Sequence, residues 1–157
     1  MSTSHQRISV HDIDPSATQA VLAMETYVRS SGLDSRLYEL VKIRASQLNG
    51  CAYCLDMHTR DARAGGEDQR RLDVLSAWRE APGLFSERER AAFALTEAVT
   101  LIADGGVPDD VWSKATASFD EKELAHLLMA IATINVWNRL AVATHQALPE
   151  HPAKTRQ

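Results

Sequence analysis

Two cysteines in 157 residues are too few for a disulfide scaffold, and they stand three positions apart, as Cys51 and Cys54. Aromatic residues make up 6% of the chain and alanine is plentiful. β-Branched alternation between turn signals is missing, which argues against a sheet. No apolar run approaches the roughly 18 residues of a membrane span. Behind Met1 and Ser2 there is no apolar segment of the signal-peptide kind, so the expected location is cytoplasmic and no membrane contact is expected. Basic excess is lacking too: 17 Lys and Arg face 21 Asp and Glu, a net charge of −4 that argues against a nucleic-acid partner. Repeats, low-complexity tracts and linkers are absent. The length fits one domain over 1–157, with its core at about 15–147 and a loose polar tail at 149–157.

What is present is helical periodicity. Asp14-Pro15 reads as an N-cap with proline at the first helical position. Ala17, Ala20, Val21, Met24, Tyr27 and Val28 then recur at helical spacing as far as Ser31-Gly32. A second helix opens at Asp34 or Ser35 and closes at Asn49-Gly50, two residues that tolerate the left-handed conformation. A third starts near Cys51 and runs to Gly65-Gly66, and a fourth covers roughly 68–80. Ser86 with Glu89 is a capping-box signature for a fifth that stops at Gly105-Gly106. Pro108 begins a short sixth. Asp120 with Glu123 opens the longest, about 121–147, apolar on most of its circumference and therefore central or covered by another subunit. The reading is an all-α fold of six or seven helices.

Within this frame Cys51, Cys54 and His58 fall at i, i+3 and i+7 of the third helix, on one face. Such a pair in a reducing compartment points to redox chemistry or metal binding. Glu39 lies twelve residues before Cys51, about 120° off that stripe on a continuous helix of 3.6 residues per turn. The Asn49-Gly50 break removes the constraint, since helices folded back on each other can bring Glu39 to the imidazole. A carboxylate facing histidine fixes its tautomer. The thiolate is the nucleophile. Partial positive charge at the helix N-terminus falls mainly on Cys51, whereas His58 serves Cys54, so the residues alone do not rank the two sulfurs. Oxidation of one thiol to a sulfenic acid leaves the other placed to condense with it. A zinc site is the rival reading: Cys51, Cys54 and His58 supply three ligands, no further cysteine exists, and Glu39 is the candidate fourth.

The pattern Glu-x11-Cys-x2-Cys-x3-His closely resembles the AhpD-like alkylhydroperoxidases of the carboxymuconolactone decarboxylase superfamily. It is carried by Glu39, by the stretch from Lys42 through Arg44 to Ser46, by Asn49-Gly50-Cys51-Ala52-Tyr53-Cys54, and by Asp56-Met57-His58-Thr59. Asn135-Val136-Trp137-Asn138-Arg139 is similar to the family's C-terminal signature. The resemblance implies an all-α subunit that assembles into trimers or hexamers and reduces organic hydroperoxides with no cofactor or metal, in antioxidant defence. Its partners would be a hydroperoxide substrate and an external dithiol reductant. Carried over by position, Cys54 would be the peroxidatic thiol, Cys51 its disulfide partner, and His58 with Glu39 the proton relay. Tyr53 departs from the best-studied branch, which has histidine before the second cysteine; a phenol with a pKa of about 10 donates a hydrogen bond but does not carry protons at neutral pH. Two alternatives stand beside this reading: a non-catalytic redox sensor or disulfide-set assembly module, and a lactone decarboxylase, which would not depend on the cysteine pair. His126 and His145 read as packing residues, Asn135, Asn138 and Arg139 as inter-helix or inter-subunit hydrogen bonders, and Glu87 to Arg90 as a solvated first turn.

Overall fold

The computed structural model describes residues 6–149, and these form eight α-helices and one 3-10 segment, with no strand among the described residues. The helices are α1 (Val10–Ile13), α2 (Pro15–Ser30), α3 (Ser35–Asn49), α4 (Ala52–Ala64), α5 (Gln69–Val74), α6 (Glu87–Thr100), α7 (Asp109–Ser118) and α8 (Glu121–Thr144), with the 3-10 segment Leu75–Glu80 after α5. The all-α expectation holds. The expected count of six or seven rises because a one-turn helix precedes Pro15 and the fourth expected helix is broken. Ser9 caps α1 by accepting from the Asp12 N–H, and Asp14 then ends it and caps α2. In the fourth segment Ala77 leaves the helical region (φ −115°, ψ 29°), so Trp78 turns inward on a tighter coil.

Two expected ends move. Helix α6 stops at Thr100, because Leu101 departs to φ −96°, ψ 39°, and Ile102 lies in the turns leading to Gly105-Gly106. Helix α8 stops at Thr144. His145 takes φ 53°, ψ 50°, and the Gln146 N–H reaches back to the Ala141 carbonyl at 2.9 Å. His145 is therefore an exposed helix cap, not a packing residue. The tail expected at 149–157 lies, beyond Pro149, outside the described residues.

Helix α3 is the hub. It packs against α4, α6 and α8, and buries side chains on nearly its whole circumference. On one side Leu37 and Val41 meet Ala92 and Leu95 of α6 and Leu127 and Ile131 of α8. On another, Leu40 and Ile43 meet Ala62, Leu75, Trp78 and Phe93. The third cluster joins Ala45 of α3 to Cys51, Cys54 and Ile134, and it places the cysteines in the core. Full burial of each such aliphatic side chain contributes on the order of 1.5–3 kcal/mol. Helix α8 has the length and mean hydropathy (1.3) of a membrane span, and it contributes buried residues to the same core as α3 and α6. By contrast α2 buries only Val28 fully, leaving Leu22 and Tyr27 exposed.

The run from Glu87 to Arg90, expected as a solvated turn, ties elements together instead. Glu89 closes the capping box with Ser86 and pairs with Arg71, while Arg88 bonds Glu123 of α8 at 2.8 Å. Glu87 alone remains exposed, with only a 3.8 Å ion pair to Arg90 of its own helix.

Candidate active site

The site begins at the turn between α3 and α4. Gly50 takes φ 63°, ψ 33°, a conformation that costs residues with a Cβ about 1–2 kcal/mol, and it reverses the chain in a single residue. The next residue, Cys51, is the N-cap of α4. Caps are usually Ser, Thr, Asp or Asn, whose oxygen accepts a backbone N–H. Here sulfur takes that place, and the Cys54 N–H donates to Cys51 Sγ at 3.4 Å. Both cysteines are free thiols, 1% and 2% exposed.

This geometry ranks the sulfurs. The Cys51 thiol is lowered from an ordinary 9.0 to about 6, mainly because the Cys54 side chain donates to it. Burial opposes the shift, while the Cys54 N–H, the Asn138 side chain and the Tyr53 N–H reinforce it. Cys54 moves upward for the complementary reasons: its S–H is held by Cys51, it is buried, and it faces the charge on Cys51. Asn138 and the Lys42 cation act weakly the other way. These contacts favour the charged form at Cys51 and the protonated form at Cys54.

His58 lies one turn beyond Cys54 on the same face of α4 and is 2% exposed. Its Nδ1 meets Glu39 Oε2 of α3 at 2.8 Å. The fold-back at Gly50 therefore brings the twelve-residue-distant carboxylate onto the imidazole. Because Nδ1 is engaged with Glu39, the other ring nitrogen, Nε2, is left for proton exchange. The four residues picked from the sequence thus stand around the α3–α4 corner, with Cys51, Cys54 and His58 in its buried interior. Among the described residues, the donor atoms of Glu39, His58 and Asp61 lie within 4.8 Å of one another, a grouping that includes neither sulfur.

Two features escaped the sequence. Lys42, 1% exposed, does not pair with Glu39; it forms an ion pair with Glu25 of α2 and sits 4.1 Å from the Tyr38 ring centroid. Tyr38 also hydrogen-bonds Glu25. Burial lowers the Lys42 pKa and Glu25 counters it, so the pair is a buried charged bridge from α2 to α3. The signal for it is a lysine four residues after a tyrosine on an otherwise apolar helix face. The second feature is what Asn138, expected as an inter-helix hydrogen bonder, bonds to: it donates to Ser46 of α3 at 3.0 Å and accepts from Asn49 at 2.9 Å, more than eighty residues away in sequence, where no local spacing rule applies.

Residues 15–98, which include this corner, match the carboxymuconolactone decarboxylase family, and the chain belongs to it. Among its relatives, YdfG of Bacillus subtilis (strain 168), an uncharacterised protein, is 41% identical over 138 residues, 88% of this chain and 93% of that one. The uncharacterised YnjA of Escherichia coli (strain K12) is 31% identical over 110 residues, 69% of this chain and 58% of that one. A crystal structure from Agrobacterium tumefaciens, described as a protein of unknown function with a provisional assignment to AhpD antioxidant defence, superposes with a TM-score of 0.90 at 42% identity. That match covers 93% of this chain and 99% of the other, and it fixes the fold as AhpD-like. A peroxidase-related protein from Silicibacter shares the fold at TM-score 0.73 and 21% identity, covering 83% of this chain and 69% of that one.

Proposed function

We propose that the protein is a thiol-dependent peroxidase that reduces organic hydroperoxides in antioxidant defence. The observation that carries this reading is the arrangement at the α3–α4 corner: two free buried thiols three positions apart, the Cys54 N–H on Cys51 Sγ at 3.4 Å, and His58 Nδ1 on Glu39 at 2.8 Å one turn further along α4. The thiolate attacks the terminal peroxide oxygen, the O–O bond breaks, and the sulfur becomes a sulfenic acid. The departing alkoxide takes a proton from the His58–Glu39 couple and leaves as alcohol. The second thiol then attacks the sulfenic sulfur, water leaves, and the Cys51–Cys54 disulfide forms. An external dithiol returns the pair to two thiols and is itself oxidised to a disulfide.

The geometry favours Cys51 as the sulfur that attacks first, the reverse of the order the resemblance implies. Cys51 sits at the N-terminus of α4 and accepts the hydrogen bonds, whereas Cys54 donates. We further propose that the protein acts in the cytoplasm as a homo-oligomer, with the exposed apolar residues of α2 as the face to be covered.

Mass spectrometry after one equivalent of hydroperoxide tests the chemistry. The wild type should lose two hydrogens, and Cys54→Ser should trap a sulfenic acid on Cys51, while Cys51→Ser reacts more slowly. Unmodified thiols in all three proteins refute the peroxidase, and faster sulfenic acid formation in Cys51→Ser refutes the order of attack.

A further inference from the structure

Both sulfurs are buried, so a hydroperoxide reaches them only where their cover opens. Two half-buried aromatic side chains pack against the cluster that holds Cys51 and Cys54: Tyr53 of α4 and Trp137 of α8. Trp137 faces two ways. With Ile134 and Ala141, both buried in the cysteine cluster, it forms a stripe of α8 at i, i+3 and i+7. With Leu140 and Thr144 it forms a second stripe of the same spacing, and this one lines a cleft between α8, α1 and the start of α2. Among the described residues, Trp137 is the one side chain common to the cleft and the cysteine cluster.

The cleft has a volume of about 100 Å³. Ile8, Val10, Trp137 and Leu140 give it an apolar wall, and no lysine, arginine, aspartate or glutamate is among its described lining. Several of its polar members are engaged with their own neighbours. Ser9 caps α1, Thr144 Oγ1 donates to the Leu140 carbonyl at 2.8 Å, and Gln6 bonds both the Ile8 carbonyl and the Ala147 N–H. The segment over the cleft is tied to the end of α8, where the Arg7 N–H donates to the Thr144 carbonyl at 2.8 Å. Nothing in this lining favours an ionised ligand, so the occupant it fits is neutral and apolar. Apolar cavities of about 150 Å³ take up benzene, so this volume suits a compact branched alkyl group and not a long acyl chain.

We propose that this cleft receives the organic group of a small, neutral alkyl hydroperoxide, and that Trp137 is the gate through which the peroxide end reaches the sulfurs. The substrate class rests on the peroxidase reading; the cleft and its gate rest on packing. The helix that carries the gate is held on either side of it. Asn49 of α3 donates to Asn135 and Asn138 at 3.0 and 2.9 Å, and Asn138 donates to Ser46 at 3.0 Å. Opening is therefore a turn of the indole about its own side-chain bonds, not a movement of α8. Trp78 has its Nε1 fixed to Glu97 at 2.8 Å, whereas no described residue accepts from the Trp137 indole in that way.

The first measurement is of binding and needs no turnover. tert-Butanol, the product of tert-butyl hydroperoxide, is titrated into the reduced wild type while the indole N–H resonances are followed by NMR, with Trp137→Phe supplying the assignment. The Trp137 resonance should shift saturably while those of Trp78 and Trp112 stay in place. The second measurement is of selectivity. Thr18 of α2, half-buried in the cleft lining, is replaced by phenylalanine to fill the space. Thr18→Phe should lower the ratio of kcat/KM for tert-butyl hydroperoxide to that for hydrogen peroxide, which has no organic group, by about tenfold or more. A Trp137 resonance that stays still, or moves no more than the other two, overturns the site. So does an unchanged ratio in Thr18→Phe at a wild-type circular-dichroism spectrum. If the wild type reduces neither peroxide, the peroxidase reading falls, and the tert-butanol titration alone decides the cleft.

Discussion

Replacing Cys54 with alanine should raise the titration midpoint of Cys51, and the size of the rise follows from the contacts at the α4 cap. The Cys54 side chain is the largest influence holding Cys51 at about 6. A hydrogen bond to a charged group is worth about 1.5–3 kcal/mol, and one pH unit is 1.36 kcal/mol, so losing it moves the midpoint by about one to two units. The Cys54 backbone N–H and Asn138 remain, so it should stop short of the ordinary thiol value. A rate at a single pH would hide this change. A rise of about two units leaves roughly a tenth of Cys51 ionised at pH 7, but the more basic thiolate is about eightfold more nucleophilic, and the factors nearly cancel. The assay must therefore be the full titration, with Cys54→Ser beside Cys54→Ala, because the hydroxyl restores a donor and should restore most of the shift. The same lowering is a stability term. A group depressed on folding contributes its full amount above the unfolded value, here near 9, and loses it as pH falls through about 6. The ceiling is about 4 kcal/mol and the share present at pH 7 is about 1.4 kcal/mol. Reduced wild type should therefore gain stability relative to Cys51→Ser between pH 6 and 9 in denaturant unfolding. A wild-type midpoint in the ordinary thiol range, or identical midpoints for the Ala and Ser variants of Cys54, would refute this ranking of the two sulfurs.

Glu39→Gln keeps the size of the side chain but removes the charge that orients the His58 ring; peroxide turnover should fall by about 10²–10⁴-fold at an unchanged circular-dichroism spectrum. Turnover within threefold of wild type would remove the relay from the mechanism. At the α2–α3 bridge, Lys42→Met removes the buried cation from Glu25, which keeps Arg29 and the Tyr38 hydroxyl, and should cost about 1–3 kcal/mol in urea unfolding; the double variant Lys42→Met/Glu25→Gln should recover most of that loss. Equal costs for the single and double variants would show that the pair is not energetically coupled.

Much of the fold was legible because helix signals are local. Ser86 with Glu89 and Asp120 with Glu123 do form capping boxes, and Gly50 does close α3 in the left-handed region. The misjudged ends, at Thr100 and Thr144, fall where apolar spacing continues past the last helical residue. Backbone torsion ended the helix there, and periodicity carries no torsional information. The partner of Lys42 was not legible for a related reason: the carboxylate that takes the lysine comes from α2, seventeen positions away and on another helix.

The sequence by itself determined the helical class and the stripe of Cys51, Cys54 and His58, since those depend on spacings of three, four and seven residues. It also marked the corner at which Glu39 could return. Tertiary structure alone decided what surrounds the two sulfurs. They lie in a core cluster with Ile134 and Ala141 of α8, beside a cap made of sulfur and an amide file that runs from Asn135 through Asn49 to Asn138. Those amide contacts join residues 86 and 89 positions apart, and hydrogen-bond polarity at such separations is set by packed helices, not by any period along the chain.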